Sequence, residues 1–152
     1  MKDEILKTIR RELRVRMDRL AKAAMEAHAA ATDPGSKAES KYDTRNLEAS
    51  YLAAGQARQV EELAEAVRIF DGLALPEFGM EDGIDAGALV EVDLEGEEAF
   101  FLLAPAAGGM VVTWEGREVT VLTPESGLYG KLVGLSVGDV VEEPRLVVME
   151  VG

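Results

Sequence analysis

Residues 123–151 read TPESGLYGKLVGLSVGDVVEEPRLVVMEV. Thr123-Pro124-Glu125-Ser126 has the composition of a turn, because proline presets one backbone angle and serine can bond its own neighbours. LYGKLVGL is a short amphipathic segment, one helix of about two turns. Gly138-Asp139 then breaks the pattern, and VGDVVEE and RLVVMEV are valine-rich runs of strand length. The segment upstream has the same character. ALVEVDL, EAFFLLAP, GMVVTW and REVTVL alternate or run apolar, with turns expected at Glu95-Gly96, Gly108-Gly109 and Glu115-Gly116. The C-terminal half therefore predicts a small, mostly antiparallel sheet of four to six strands wrapped around one short helix, entered through a Gly-rich linker, FGMEDGIDAGA.

The N-terminal half has a different period. No Gly or Pro occurs between Asp3 and Thr32, and Leu6, Ile9, Leu13, Met17, Leu20, Ala24 and Ala27 recur at three- and four-residue spacing. A second run, roughly Leu47 to Phe70, carries Ala53, Gln56, Val60, Leu63, Val67 and Phe70, and Gly72 and Pro76 close it. Two seams this narrow are buried most economically against each other, as an antiparallel coiled-coil hairpin about 40 Å long at ~1.5 Å per residue. The polar segment between them, with its Asp-Pro-Gly turn signal, is expected to be the tip, residues 33–45. Ser36 with Glu39 could cap an early start of the second helix, and Asp43 or Thr44 a later one; the regularity of the seam after Leu47 favours the later start. The fold class is thus α+β, with a hairpin over residues 1–74 and an acidic sheet module over 75–152.

The charge divides along the same line. The net charge of −13 is carried wholly by the second half: residues 1–72 hold 13 basic and 13 acidic side chains, residues 73–152 hold 3 and 16. An acidic globule does not grip a phosphate backbone, so any nucleic-acid contact has to come from the helices. There, Lys7, Arg10, Arg11, Arg14, Arg16, Arg19 and Lys22 face only Glu12 and Asp18, a basic stripe suited to RNA, DNA or an acidic protein surface. No aromatic residues interleave with it, so base stacking is not indicated.

Several chemistries are unsupported. The chain contains no cysteine, which removes disulfides, thiolate nucleophiles and thiolate zinc sites. Its one histidine, His28, has no second histidine with which to chelate a metal, and Ser126 sits in a turn without a histidine near it in sequence. The glycines of APAAGGM read as a hairpin turn and lack the Lys-Ser/Thr step of a phosphate loop. No run approaches the ~20 apolar residues of a membrane span, and no apolar segment follows the basic start, so a soluble cytoplasmic protein without membrane contact is expected.

TPESGLYGKLVGLSVGDVVE resembles the C-terminal signature of the bacterial Gre transcript-cleavage factors, in Thr123 to Ser126, Leu132-Val133-Gly134 and Gly138-Asp139-Val140. DAGALVEVDLEGEEAFFLLAP resembles the strand pair that opens the same module, entered at Gly87, so the similarity spans roughly residues 84–151. SYLAAGQARQVEELAEAV resembles the second helix of that family's coiled coil, in Tyr51, Ala53, Ala54 and Gln56. The resemblance implies an FKBP-like C-terminal domain behind an antiparallel coiled coil. It also implies a partner, RNA polymerase, whose secondary channel the coiled coil enters, bringing it near the nascent RNA. Tip carboxylates would then help hold a magnesium ion of the polymerase active site, which activates water to cleave backtracked RNA. A hard divalent ion suits one or two carboxylates plus water and phosphate oxygens. The factor would be a co-catalyst, with no stably bound cofactor, and a monomer; dimerisation through the alanine-rich seam is the structural alternative.

The register at the tip departs from the family. The family's Asp and Glu, seven and four positions before the tip tyrosine, correspond to Thr44 and Leu47. The nearest acids are Asp43 and Glu48, the candidate catalytic and metal-sharing pair; Asp33 and Glu39 are alternatives. On a regular helix five residues leave positions about 140° apart, so Asp43 and Glu48 converge on one ion only if Asp43 is in the loop. Arg10, Arg11, Arg14, Lys37, Lys41 and Arg45 are candidates for contact with RNA or the channel wall, and Pro124, Ser126, Leu128, Tyr129 and Lys131 for docking on polymerase. Two other functions stay open: a channel binder that does not support cleavage, and an FKBP-like prolyl isomerase or chaperone. Isomerase activity requires an aromatic cup, which Phe78, Phe100, Phe101, Trp114 and Tyr129 supply poorly, since adjacent Phe100 and Phe101 point to opposite faces of a strand.

Overall fold

The computed structural model describes residues 2–32 and 43–152. Two long helices come first, α1 (Lys2–Thr32) and α2 (Asp43–Asp71), followed by β1 (Leu89–Leu94), β2 (Glu97–Leu103), β3 (Val111–Trp114), β4 (Arg117–Leu122), the short α3 (Gly127–Leu132), β5 (Val140–Glu142) and β6 (Arg145–Val151). The architecture is α+β with a mixed six-stranded sheet. The chain divides into two compact units, one made of Met1–Ile9 with Ile69–Gly152, the other of Arg10–Arg68.

Within the helical unit, Leu13 of α1 and Ala66 and Val67 of α2 are buried, whereas Met17, Leu20, Val60 and Leu63 are half-buried. That gradient is what a two-helix seam produces, since each helix covers only a stripe of the other. Polar support is local: Glu12 pairs with Arg16 at 3.0 Å one turn on, and Glu65 pairs with Arg68. Leu6, Ile9 and Phe70, expected in the same seam, belong instead to the unit that contains the sheet. α2 also begins earlier than its apolar pattern suggests, at Asp43, so residues 43–45 are helical rather than part of the tip loop.

The sheet has the order β3-β4-β2-β1-β6-β5, and every neighbouring pair is antiparallel except β2 with β4. Glu95-Gly96 and Glu115-Gly116 have φ of 53° and 91°, and of 50° and 75°, at the tight turns of the β1-β2 and β3-β4 hairpins. Positive φ at both positions gives the backbone twist that matches paired strands. Gly108-Gly109, by contrast, is not a hairpin turn. β2 runs parallel to β4, so the segment 104–110 carries the chain past β4 to the sheet edge, held by Ala104 N to Leu122 O and Gly109 N to Val121 O, both 2.8 Å. A Cβ on Gly108 would meet Thr123 Oγ1 at 2.7 Å, which explains the small residue there. β5 and β6 are joined through the cis peptide Glu143-Pro144.

One face of the sheet packs on α3. Leu132 is fully buried there among Val90, Val92, Phe101, Leu103, Leu146 and Val148. Ile84, from the stretch expected to be a linker, is 1% exposed in the same core, and its N–H donates to Leu135 O at 2.7 Å. The stretch is therefore part of the module. Leu89, Phe100, Leu102, Val112, Val119 and Val121 alternate onto the other face and are also buried. The first turns of α1 lie on that side: Trp114 Nε1 donates to Glu4 Oε2 at 3.1 Å, and Ile5, Leu6 and Ile9 are buried. Lys2 Nζ donates to the carbonyls of Gly87 (3.1 Å), Gly152 (3.0 Å) and Pro76, and sits 5.1 Å from the Phe78 ring centroid.

Candidate functional site

On α1, Arg10, Arg11, Arg14 and Lys22 fall within an arc of about 120° at ~100° per residue. Arg11, Arg14 and Lys22 are exposed and Arg10 is half-buried. Asp18 interrupts the arc, and Arg16 lies outside it, paired with Glu12. Long cationic side chains on one exposed helix face can meet a phosphate backbone or an acidic protein wall; they carry no base-reading geometry.

For the tip, Lys37 and Lys41, like Asp33 and Glu39, lie outside the described residues. Asp43, Arg45 and Glu48 are on α2 by their backbone, and their side chains lie outside what is described. Because helix already begins at Asp43, the 43 and 48 positions are separated by about 140° around one axis, not brought together by a loop.

The proposed docking segment is better defined. Ser126 N donates to Thr123 O at 2.9 Å, closing a turn with Pro124 exposed in its second position. Ser126 is the N-cap of α3, without a side-chain capping bond. Leu128 and Tyr129 are half-buried, packed against the core, while Lys131 lies at the surface and donates to Glu143 O. The Gly-Asp step has a structural cause of its own. Asp139 Oδ2 accepts from Ser136 N at 2.8 Å while Gly138 N donates to Val148 O at 2.7 Å, which turns the chain into β5.

The sheet also assembles a group of side chains that sequence reasoning missed. A cleft on the Phe100 face is lined by Leu89, Glu91, Phe100, Trp114, Arg117, Glu150 and Gly152. Glu91 is directly opposite Glu150 because the β1-β6 register shifts after Glu91, pairing Val92 with Val148 and leaving Met149 as the extra residue of a bulge. Arg117 Cζ lies 5.2 Å from the Phe100 centroid and its Nη1 is 3.6 Å from Glu98. Burial, followed by hydrogen bonds to Glu98 and Glu150 and the repulsion of their charges, holds the Glu91 carboxyl above the usual glutamate range. Burial pushes the Lys2 ammonium below the usual lysine range, opposed by the charge of Glu77. Among the described residues no helix is long and apolar enough to cross a membrane.

No protein-family model and no curated protein matches the chain. Solved structures that it is similar to include the transcription factor Gfh1, at 19% identity over 95% of this chain and 94% of that one, with a TM-score of 0.39. Thermus aquaticus Gfh1 is similar at 16% identity over 93% and 92% of the two chains, with a TM-score of 0.36. GreA factor homolog 1 (Gfh1) of Thermus thermophilus is similar at 19% identity over 98% and 93%, with a TM-score of 0.35. At these values the likeness carries no functional weight, which rests on the residues above.

Proposed function

We propose that this protein is a Gre-like transcription elongation factor that binds RNA polymerase and enters its secondary channel with the helical pair. What supports this most is the run from Thr123 to Val140. Its turn, six-residue helix and Gly138-Asp139 entry into β5 form one folded module that matches the Gre resemblance element by element, in a chain whose first half is two long helices. In this reading Pro124 and Lys131 are the accessible part of the docking segment, and Arg10, Arg11 and Arg14 lie along RNA or the channel wall. The protein acts on polymerase as a co-catalyst or competitor and is not itself an enzyme.

Two forms of this function differ at the tip. Cleavage of backtracked RNA needs two carboxylates on one magnesium, for which Asp43 and Glu48 are the candidates. The start of α2 at Asp43 favours the second form, a channel binder that does not support cleavage, because a continuous helix separates these positions. Stalled, backtracked elongation complexes separate the two. Magnesium-dependent shortening of the RNA 3′ end, abolished by Asp43→Ala with Glu48→Ala, is the result expected of a cleavage factor; binding without shortening identifies the competitor. Failure to bind polymerase at all overturns both. The isomerase reading has weaker support, since Phe101 is in the core and Phe100 has Glu91 and Arg117 beside it in the cleft rather than an apolar cup.

A further inference from the structure

The cleft on the Phe100 face has no part in that reading. Leu89 and Phe100 are its buried base, Trp114 is half-buried, and Glu150 and Arg117 are exposed at its rim. We infer that this cleft binds the guanidinium of an arginine side chain presented by a partner protein.

The first argument is charge. The groups that line the cleft or bond to its lining are four carboxylates, Glu4, Glu91, Glu98 and Glu150, and two cations, Lys2 and Arg117. Lys2 is committed to backbone carbonyls and Arg117 to Glu98. Glu91 and Glu150 are left side by side with no cation of their own among the described residues. Two adjacent carboxylates at an apolar surface are mutually unfavourable, and a cation from outside relieves both. The raised proton affinity of Glu91 agrees with such an unmet demand.

The second argument is shape. Directly opposed residues on neighbouring antiparallel strands have Cβ atoms about 4.5–5.5 Å apart, so the carboxylates of Glu91 and Glu150 can take the two N–H edges of one planar guanidinium. Aromatic surface beside them favours the same plane. Phe100 already carries the guanidinium of Arg117, and Trp114, fixed by its bond to Glu4, offers a second ring. An ammonium could use the charge and not the plane. The carboxylates do not form a group that could hold a metal ion. Seven lining residues hold one side-chain head, so useful affinity requires a larger surface around the arginine, which a protein partner provides.

Trp114 is the only tryptophan, so the intrinsic fluorescence of the full chain reports on this cleft. The probe is Nα-acetyl-arginine amide, with the lysine and the uncharged, near-isosteric citrulline amides as comparisons. The expected result is a saturable change in Trp114 emission with the arginine amide, weaker with lysine and absent with citrulline. Glu150→Gln, at an exposed position outside the core, should weaken the arginine response by about tenfold, as loss of one charge-assisted hydrogen bond does, without lowering the melting temperature. An unsaturable response, an equal response to citrulline, or no effect of Glu150→Gln overturns the site. An equal response to lysine overturns the guanidinium assignment. Polymerase binding is a separate measurement, and either result can fail alone.

Discussion

The two units bury their apolar residues in different ways. In the sheet unit Leu132, Leu146, Val90 and Val92 are at most 1% exposed, because the sheet is covered by α3 on one face and by the first turns of α1 on the other. Among the described residues of the helical unit only Leu13, Ala66 and Val67 reach burial, and Met17, Leu20, Val60 and Leu63 stay half in solvent. A two-helix seam has no second layer. Among the described residues the difference locates most of the hydrophobic stabilisation in the sheet unit and leaves the helical unit more dependent on propensity and local ion pairs.

The largest test of this contrast is a pair of truncations. Leu132→Ala should cost about 2–5 kcal/mol, and Met17→Ala about 1 kcal/mol or less, measured by urea unfolding. Trp114 fluorescence follows the sheet unit and far-UV circular dichroism the helices, so coincident or separate transitions also show whether the units unfold together. Equal costs at the two sites would erase the contrast. Lys2→Met keeps the aliphatic stem and removes the bonds to Gly87 and Gly152; it should lower stability by about 1 kcal/mol, seen in the Trp114 transition before the dichroism. The smallest effect is a gain. The folded-state pKa of Glu91 lies above its ordinary value of 4.5, so its contribution is fully present below that pH and is lost as pH rises through the folded pKa. Glu91→Gln should therefore raise the melting temperature at neutral pH, with the advantage vanishing near pH 4 in a series of melts.

Legibility in the sequence followed the locality of the interactions. The helix spans were readable because nothing breaks Asp3 to Thr32, and the β1-β2 and β3-β4 turns because a Glu-Gly pair suffices to specify each. Residues 43–45 were read as loop although they are helical, because no apolar period marks the helix before Leu47. Gly108-Gly109 imitates a two-residue turn, and only the parallel β2-β4 pairing, set by distant residues, shows otherwise. Ile84 stands alone in a polar stretch and gave no periodic signal. At the candidate site, the turn at Pro124 and the helix after it were legible, whereas the packing of half-buried Leu128 and Tyr129 against the core was not. The Glu91-Glu150 pair was out of reach, since strand order, register and a bulge together create it.

In chain order Arg10–Arg68 is an insertion between Met1–Ile9 and Ile69–Gly152, the two segments that together form the other unit. Assembly of the outer unit must join segments separated by roughly 60 residues, an entropic cost that grows with the logarithm of that length. An early-forming antiparallel helix pair draws its own two roots together, because helix formation outpaces distant strand pairing. Closing that long loop is thus a condition for burying Ile5, Leu6 and Ile9 with the sheet, whatever work the inserted helices do on a partner.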